Sequence, residues 1–466
     1  MIVPHSSPDM QSIMKDQAIE LVEAANVRRL PWMLAGELLN SMFCVLTVFG
    51  ATFTLFLDEL GLDKVRIGFV ISLVPFCGMV APFVARRVAR FGFRRTFVLF
   101  WLLRKFAVAF LLLTPTIFSR YGLNAAFAWV AMSIFAFAFC RSIAETAFYP
   151  WWQEIIPDRI RGKFSAINSS VATIGELIAI AAASRVMSRY IGLQPYMVLI
   201  GAGVLLGLGA VALYARGPGG APLSREAAKT AQRDEMREAL RDRNFLLSLG
   251  TLALISLGLS PFRSFIPLYA KEQVGLAADV VVILGIGASL GSLLFSYVWG
   301  WLADRIGSKP VMFLGFGLIF LPPIFWFLIP RRQPWSAPLA MALSAFGGVA
   351  NMAWLIGWAR YLFVTAIPRE KRTGYAAVYY AWSGLVGGSG PLLAGKLLQL
   401  TGGFEGQISG WAIDAYTPLF ALSVLFLALG GLLLRRMRDD AAEPLGILVR
   451  KAWHRRVLRQ GPSAVK

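Results

Sequence analysis

The sequence predicts an all-α polytopic membrane protein, with twelve transmembrane helices arranged as two pseudo-symmetric six-helix bundles. The first observation is composition: 57% of the 466 residues are hydrophobic, only 15% are charged, and the mean hydropathy is +0.62. Soluble proteins are about 25% charged. The second observation is that the apolar residues form runs of about 20, long enough to cross a bilayer as helices. The third is an internal repeat.

The predicted spans form two groups of six, at residues 31–216 and 245–436. They cover residues 31–57, 66–88, 96–118, 123–150, 164–187, 194–216, 245–270, 278–303, 310–330, 335–366, 373–399 and 414–436. A polar tail (1–30) precedes the first group, and a basic tail (437–466) follows the second. A Gly/Pro-containing segment with mixed charges (217–244) joins the groups, and such a composition is typical of a linker.

The distribution of basic residues predicts the orientation. Most of the 46 Lys and Arg residues lie in the loops after even-numbered spans and in the two tails. Cytoplasmic loops carry an excess of these residues, so both termini are expected in the cytoplasm. The basic C-terminal tail is expected to rest on anionic lipid headgroups, and nucleic acid is not an expected partner.

Cofactor and enzyme chemistry have little support in the sequence. The three cysteines, Cys44, Cys77 and Cys140, fall in predicted spans without metal-ligand spacing, and both histidines, His5 and His454, lie in the tails. The sequence has no GxxxxGK[ST] phosphate-binding loop. No cofactor or metal is therefore expected. A membrane-embedded transferase, which would rely on His or paired Asp, is disfavoured.

Three landmarks recur in the same order in the two groups of spans. The matched pairs are Gly61 with Gly275, Gly92 with Gly307, and Pro157 with Pro368. The offset between partners is nearly constant, at about 211–215 positions, which indicates an internal repeat. A duplicated six-helix unit is typical of transporters that work by alternating access.

The stretch GWLADRIGSKP at 300–310 places an acid, two bases and two glycines between two apolar runs. It resembles the loop motif of the major facilitator superfamily, and the resemblance extends over residues 31–436. The loop PDRIRGKF after span 4 also resembles a loop of that family. The stretch GLVGGSGPLLAG at 384–395 resembles the glycine-rich helices on which the halves of these transporters rock. The resemblance implies the twelve-helix fold and secondary active transport.

The resemblance also implies a conformational latch on the cytoplasmic side, formed by the turn between spans 8 and 9. The residues assigned to it are Gly300, Asp304, Arg305, Gly307 and Lys309. Gly307 lets the chain reverse, because glycine lacks the Cβ that would clash. Gly300 is expected to allow close approach of a second helix, as small residues do in membranes.

A degenerate copy of the turn, ARRVARFGFRR, occurs in the first half. It has Ala89 where the second half has Asp304. Likewise, Tyr149 corresponds to Arg360. Because the acid and the base are absent together, we expect Asp304 and Arg360 to pair, with Glu370 completing the network. The alternative is that Arg360 only extends to the membrane interface.

Charged side chains within spans cost roughly 2.5–3.5 kcal/mol each, so they usually face a cavity or a partner. The candidates for contact with solute or protons are Glu37, Arg141, Glu145, Glu176, Arg263, Trp354 and Tyr379. The family resemblance implies that spans 1, 4, 7 and 10 line the central cavity and that span 5 is close to it. It also implies that span 3 is peripheral, so Arg104 and Lys105 are expected to be structural.

Two of the acidic candidates have competing interpretations. Glu176, near the middle of span 5, could take up and release a coupling proton. It could instead stay neutral, hydrogen-bonded to Asn168 or to backbone. Arg141 and Glu145 lie one turn apart on span 4, which favours a structural pair that neutralises itself.

The remaining candidates point to an organic solute. Arg263 lies beside Pro261 and Pro267, which are expected to bend span 7, and it could anchor an anion. A packing or interfacial role for Arg263 is the alternative. Trp354 and Tyr379 could stack on a solute, or belong to the aromatic belts at the membrane surface.

The leading interpretation is secondary active transport of a small organic solute, coupled to protons. A multidrug efflux antiporter is the alternative, disfavoured because the glycine-proline motif is absent from span 5 and Gly390-Pro391 lies on span 11. A non-transporting sensor or scaffold is a further alternative, because the first-half latch is degenerate. Residues 1–30 show no secretory or organelle-targeting pattern, which favours a bacterial inner membrane.

Overall fold

The computed structural model of the protein describes residues 8–222, 232–368, 372–408 and 411–438. The helices and strands are, in chain order, α1 (Pro8–Thr47), α2 (Ala51–Glu59), α3 (Lys64–Cys77), α4 (Ala81–Phe91), α5 (Phe93–Ala109), α6 (Thr114–Ile155), α7 (Asp158–Met187), α8 (Gln194–Tyr214), α9 (Gln232–Ala239), α10 (Arg243–Glu272), α11 (Ala278–Ile306), α12 (Ser308–Phe327), α13 (Ser336–Tyr361), α14 (Arg372–Leu400), β1 (Gly406–Ile408), β2 (Trp411–Ile413) and α15 (Thr417–Arg436). The predicted all-α polytopic architecture is confirmed. The short antiparallel hairpin β1–β2 was not predicted.

The described residues form two compact units. The first lies within Met1–Leu62 and Leu73–Thr230, and the second within Asp63–Ser72 and Ala231–Lys466. Helix α3 therefore begins in the second unit and ends in the first. The predicted linker boundaries at 217–244 stay a prediction.

Ten helical segments of the described chain are long and apolar enough to cross a membrane. One of them, Phe93–Ile155, contains the predicted spans 3 and 4, which meet at Gly122 with a φ of 76°. Helix α14 coincides with predicted span 11 and is not among the ten, because its many glycine and polar residues lower its hydropathy. Helix α1 runs without a break through the predicted start of the first span, although Pro31 lies inside it.

The core of the first unit is an aromatic cluster between α1, α5, α6 and α8. The ring of Phe97 lies 4.5 Å from that of Trp101 and meets the ring of Tyr214 edge-on at 5.3 Å. Trp151 at the end of α6 packs on the same ring at 5.4 Å. Offset and edge-on pairs of this kind are the favourable aromatic arrangements.

The second unit has its own core, in which α10, α12, α13, α14 and α15 meet. The buried side chains there include Phe245, Met312, Trp358, Tyr375 and Leu427. Proline residues interrupt α10, α12 and α14 without ending these helices. Such prolines bend a transmembrane helix and are tolerated because neighbouring helices satisfy the freed backbone groups.

Helices α11 and α13 approach each other through glycines. A Cβ built on Gly291 would lie 2.1 Å from the carbonyl oxygen of Ala345, and one on Gly348 would lie 2.0 Å from that of Ala288. No side chain fits in either gap. Close backbone contact through small residues is a principal source of helix association in membranes.

The glycine-rich helix α14 packs in the same way against the start of α3. A Cβ on Gly68 would lie 2.3 Å from the carbonyl oxygen of Pro391, and one on Gly395 would lie 2.3 Å from that of Lys64. An ion pair between Lys64 and Glu272 adds α10 to this contact. The contact explains why the first residues of α3 belong to the second unit.

The two ends of the predicted linker are packed onto helices. At its start, Trp151 Nε1 donates a hydrogen bond to the Pro218 carbonyl at 2.7 Å. At its end, α9 lies against α14, where Glu235 Oε2 accepts a hydrogen bond from the Gly374 amide at 2.8 Å. Helix α9 lies within this mixed-charge segment, and residues 223–231 lie outside the described ranges.

We expect Gly348→Ala to lower the free energy of unfolding by about 1–3 kcal/mol, because the added methyl group forces α13 away from α11. Gly347→Ala is the matched control, since a Cβ at this adjacent position meets nothing within 4 Å. Thermal unfolding of the purified variants in detergent measures both effects. Equal melting temperatures for the two variants would contradict the close α11–α13 contact.

Candidate functional site

The turn between α11 and α12 is built on a glycine. Helix α11 ends at Ile306 and α12 begins at Ser308, with Gly307 between them at a φ of 91°. Glycine adopts this backbone angle without steric cost. Gly92 at the corresponding place in the first unit has a φ of 103°. Both repeats therefore reverse the chain on a glycine.

Gly300 does not have the role that the sequence suggested. A Cβ built at this position meets no atom of the described chain within 4 Å, so no helix approaches closely there. On α11 the close contact is made by Gly291 instead. The expectation was wrong because a glycine reveals that a helix can be approached, but not which face the neighbour occupies.

Arg360, near the end of α13, lies beside the last turn of α11. Its Nη1 donates a hydrogen bond to the Ala303 carbonyl at 2.7 Å, and its Nε lies 3.7 Å from Asp304 Oδ1. The Asp304 side chain is 80% exposed. Arg360 thus meets the negative end of the α11 dipole more closely than it meets the carboxylate. An exposed ion pair of this kind contributes little to stability by itself.

The other residues assigned to the latch make different contacts. The Arg305 guanidinium lies 4.2 Å from the centre of the Trp301 ring, a cation–π contact. Lys309 is buried, and its Nζ donates to the Met437 carbonyl at 2.5 Å, just past the end of α15. Lys309 therefore ties α12 to α15. Glu370 lies outside the described residues.

The first unit contains a contact like that of Lys309, and the sequence analysis missed it. Arg94 Nη2 donates a hydrogen bond to the Ala215 carbonyl at 2.5 Å, just past the end of α8. Arg94 and Lys309 each follow a turn glycine, Gly92 or Gly307, by two positions. The internal repeat was therefore the feature of the sequence from which this contact could have been predicted. The first-half turn lacks the acid but keeps a base that holds the last helix of its unit.

Acidic candidates of the first unit have partners. Arg141 Nε and Glu145 Oε1 lie 2.7 Å apart within α6, as their spacing predicted. The Arg141 guanidinium also lies 4.9 Å from the centre of the Phe49 ring. On α1, Glu37 Oε2 accepts a hydrogen bond from the buried Tyr214 hydroxyl at 2.5 Å.

Glu176 is half-buried on α7, where this helix is pressed against α1. A Cβ on its neighbour Gly175 would lie 2.2 Å from Ser41 Oγ. The buried Asn168 Oδ1 has no hydrogen-bond partner among the described residues. That oxygen therefore accepts no hydrogen bond from a neutral Glu176.

Arg263 is exposed on α10, between Pro261 and Pro267. Its Nη2 donates a hydrogen bond to Asn351 Oδ1 on α13 at 2.7 Å. No carboxylate of the described residues lies within 4 Å of this guanidinium. An arginine within a membrane span is thus met by a neutral amide, and its charge has no ionic partner there.

Aromatic rings continue from this point along α13. Trp354 and Trp358 stack with their ring centres 5.4 Å apart, and Trp358 Nε1 donates to the Tyr379 hydroxyl at 3.2 Å. Trp354 shares a face of α13 with Asn351, which lies three residues before it. Trp354 is only 7% exposed, whereas Tyr379 is half-buried. Tyr379 therefore has the more accessible ring of the two candidates.

Arg104 and Lys105 on α5 are the most deeply buried charged side chains of the first unit. They are 1% and 0% exposed. Both donate hydrogen bonds to Asn40 Oδ1 on α1, at 2.5 Å for Arg104 Nη2 and 3.1 Å for Lys105 Nζ. The sequence analysis assigned them to a peripheral helix and did not anticipate that they share one oxygen.

The candidate residues form no metal ligand set within the described ranges. None of them lines the largely apolar cavity near α8. Among the described residues, no group of three or more His, Cys, Asp and Glu side chains could hold a metal. The cavity has a volume of about 470 Å³ and is lined by Pro115, Tyr190, Leu193, Gln194, Met197 and Val198.

Solved structures of membrane transporters share this architecture. The nucleoside transporter NupG is 15% identical, with 87% of this chain and 98% of that chain covered and a TM-score of 0.64. A D-xylose–proton symporter is 15% identical, with 90% and 99% covered and a TM-score of 0.65. At these identities the similarity concerns the fold alone.

Curated relatives match over part of their length. The ectoine/proline transporter ProP of Corynebacterium glutamicum is 28% identical over 209 residues, which cover 44% of this chain and 38% of ProP. The multidrug resistance efflux pump PmrA of Streptococcus pneumoniae is 29% identical over 153 residues, covering 30% and 34%. The matched part of this chain thus spans well under half the length of either relative.

A family model covers the chain far more fully than any of these relatives. The model of the Major Facilitator Superfamily matches residues 38–293 and 256–459. These ranges include most of both compact units, the turn at Gly307 and every candidate residue except Glu37. The protein is therefore an integral membrane protein that belongs to the major facilitator superfamily.

Proposed function

We propose that the protein is a secondary active transporter, and not an enzyme, that moves a small organic solute by alternating access coupled to protons. The duplicated helical units support this proposal, because such repeats are the usual basis of alternating access. Its similarity to ProP and PmrA supports transport as well. The family and the fold leave the solute open, so its chemistry has to come from the side chains within the spans.

The observation that carries the proposal is the uncompensated charge of Arg263. A cation within a span is costly unless an anion or water cavity stabilises it. The amide of Asn351 supplies one hydrogen-bond acceptor at 2.7 Å but no negative charge. A guanidinium offers paired N–H donors that match a carboxylate. The solute is therefore expected to carry an anionic group that binds Arg263, with Asn351 orienting the guanidinium.

We expect organic anions that bind this site to raise the melting temperature of the purified protein, and Arg263→Gln to abolish the rise. A ligand at about 100 times its Kd stabilises the folded state by about 2.7 kcal/mol. The measurement is a thermal-shift screen across aliphatic and aromatic carboxylates at fixed pH. Arg185→Gln is the control, because Arg185 is exposed near the end of α7. An equal rise in both variants would contradict a binding role for Arg263.

An efflux antiporter is the second candidate function, and the similarity to PmrA favours it. Glu176, half-buried on α7, would then take up protons and hold a cationic drug. In the same screen, lipophilic cations would stabilise the protein and Glu176→Gln would remove their effect. The absence of any solute-dependent uptake or efflux in proteoliposomes would instead favour a sensor or scaffold.

We propose that Asp304 and Arg360 form a latch whose contact changes during the transport cycle. The support is their 3.7 Å separation and the high exposure of Asp304, which leaves the pair able to part at little cost. Arg360 would stay attached to the Ala303 carbonyl when the carboxylate leaves. Glu370 remains a proposed third member.

We expect Asp304→Asn and Arg360→Gln each to slow transport, and the double variant to be no slower than the slower single variant. Residues that act through one contact give such non-additive effects. Initial rates in proteoliposomes measure this, with Arg185→Gln as a control that removes an exposed charge near the end of α7. Additive losses in the double variant would show that the two side chains act separately.

We propose a bacterial inner membrane as the location, with both termini in the cytoplasm. The support is the distribution of basic residues between alternate loops. The basic tail, proposed to lie on anionic lipid, falls outside the described residues beyond 438. Labelling of single cysteines at each terminus, in intact cells and in inverted vesicles, tests this orientation.

A further inference from the structure

The proposed solute site makes no use of the buried cations on α5. Arg104 and Lys105 follow one another in sequence, and both side chains are sealed from solvent. Their nitrogens converge on a single neutral acceptor, Asn40 Oδ1, at 2.5 and 3.1 Å. Arg104 Nε is also buried without a hydrogen-bond partner. Two formal positive charges thus share one amide oxygen within the membrane-spanning part of the first unit.

Nearby carboxylates compensate these charges poorly. No carboxylate of the described residues lies within 4 Å of either cation. Glu37 lies one helical turn from Asn40 on α1, and its carboxylate is held by the Tyr214 hydroxyl. Two adjacent cations without a carboxylate in direct contact are unfavourable in a low-dielectric interior. Arginine stays protonated in proteins, so Lys105 is the member of the pair that can become neutral.

The surroundings of Lys105 also stabilise its protonated form. Its Nζ lies 3.3 Å from the centre of the Phe43 ring, a cation–π contact that favours the ammonium. Gly207 on α8 makes room for the side chain, because a Cβ there would lie 2.9 Å from Lys105 Cδ. Burial and the charge of Arg104 favour the neutral amine. Lys105 therefore occupies a closely fitted space in which the Phe43 ring favours the ammonium, whereas burial and Arg104 favour the neutral amine.

We propose that Lys105 is a proton-binding site of this protein, which changes between ammonium and amine at physiological pH. On release, one N–H bond of the ammonium breaks, the electron pair stays on Nζ, and the proton passes to the Glu37 carboxylate, or to water when the side chain becomes accessible. Uptake is the reverse, and no other reactant is needed. A role for Lys105 in carrying the coupling proton rests on the proposed function, whereas the binding of a proton by Lys105 does not.

Other titratable and charged groups around this site come from four helices. They are Glu37 and Cys44 on α1, Arg104 on α5, Cys140, Arg141 and Glu145 on α6, and Tyr214 on α8. Arg141 and Glu145 pair with each other at 2.7 Å, so their charges largely offset. At Lys105, the charge of Arg104 opposes the ammonium and the charge of Glu37 favours it.

The first test reads the protonation state of Lys105 directly. Protein labelled with ¹³C at lysine Cε gives one NMR signal for each lysine, and Lys105→Met or Lys105→Arg identifies the signal of interest. We expect this signal to move between the ammonium and amine positions across the physiological pH range, while exposed lysines titrate near pH 10.4. A Lys105 signal that stays at either position throughout that range would overturn the proposal.

The second test uses stability and does not depend on assigning a signal. If Lys105 is neutral in the folded protein and protonated in the unfolded chain, unfolding takes up a proton, and raising the pH opposes unfolding. As the pH rises, the equilibrium constant for unfolding of the native protein should then fall by up to about tenfold per pH unit more than that of Lys105→Met. Lys396→Met, which removes an exposed lysine, should keep the native slope. Equal slopes in all three proteins would contradict the proposal.

These tests separate this inference from the proposed function. Both are carried out on the full-length protein in detergent and need no solute and no transport. A titrating Lys105 in a protein that moves no solute would support the proton site and refute the transport proposal. Transport of a solute by a protein whose Lys105 does not titrate would support the transport proposal and refute the proton site.

Discussion

Placing charge inside a bilayer is expensive, and the arrangement of the polar side chains in this protein follows from that cost. Arg141 meets a carboxylate one turn away. Lys309 and Arg360 meet backbone carbonyls at helix ends, where the helix dipole is negative. Arg263 is met by a neutral amide, and Lys105 is met by a neutral amide and by the ring of Phe43. Lys309 and Arg360 hold helices together, whereas Arg263 and Lys105 are where we propose that a solute anion or a proton acts.

The two repeats share their structural contacts and differ in their acid–base contacts. Arg94 and Lys309 both tie a helix to the end of the last helix in its unit, after a turn on glycine. Only the second unit adds Asp304 and Arg360, and these lie at a distance that leaves their contact weak. The contacts that hold the last helix of each unit are therefore present in both repeats, whereas the proposed latch is present only in the second.

The sequence could predict the fold because its signals lie along the chain. Hydropathy marks the spans, a repeat marks the two halves, and the four-residue spacing of Arg141 and Glu145 marks an ion pair. What it could not predict is how each helix is rotated. In a membrane the lipid-facing and protein-facing sides are both apolar, so the pattern does not distinguish them. For that reason Gly300 was assigned a close contact of the kind that Gly291 makes.

The central proposal is that transport of an anionic organic solute by this protein is coupled to protons. Proteoliposomes that enclose a pH-sensitive dye, with the membrane potential clamped, test it most directly. Addition of a carboxylate selected by its binding should change the internal pH in vesicles with the native protein. The change should be absent with Arg263→Gln and in empty vesicles. A bound carboxylate that enters the vesicles without any change in internal pH would contradict proton coupling, and one that never enters would contradict transport.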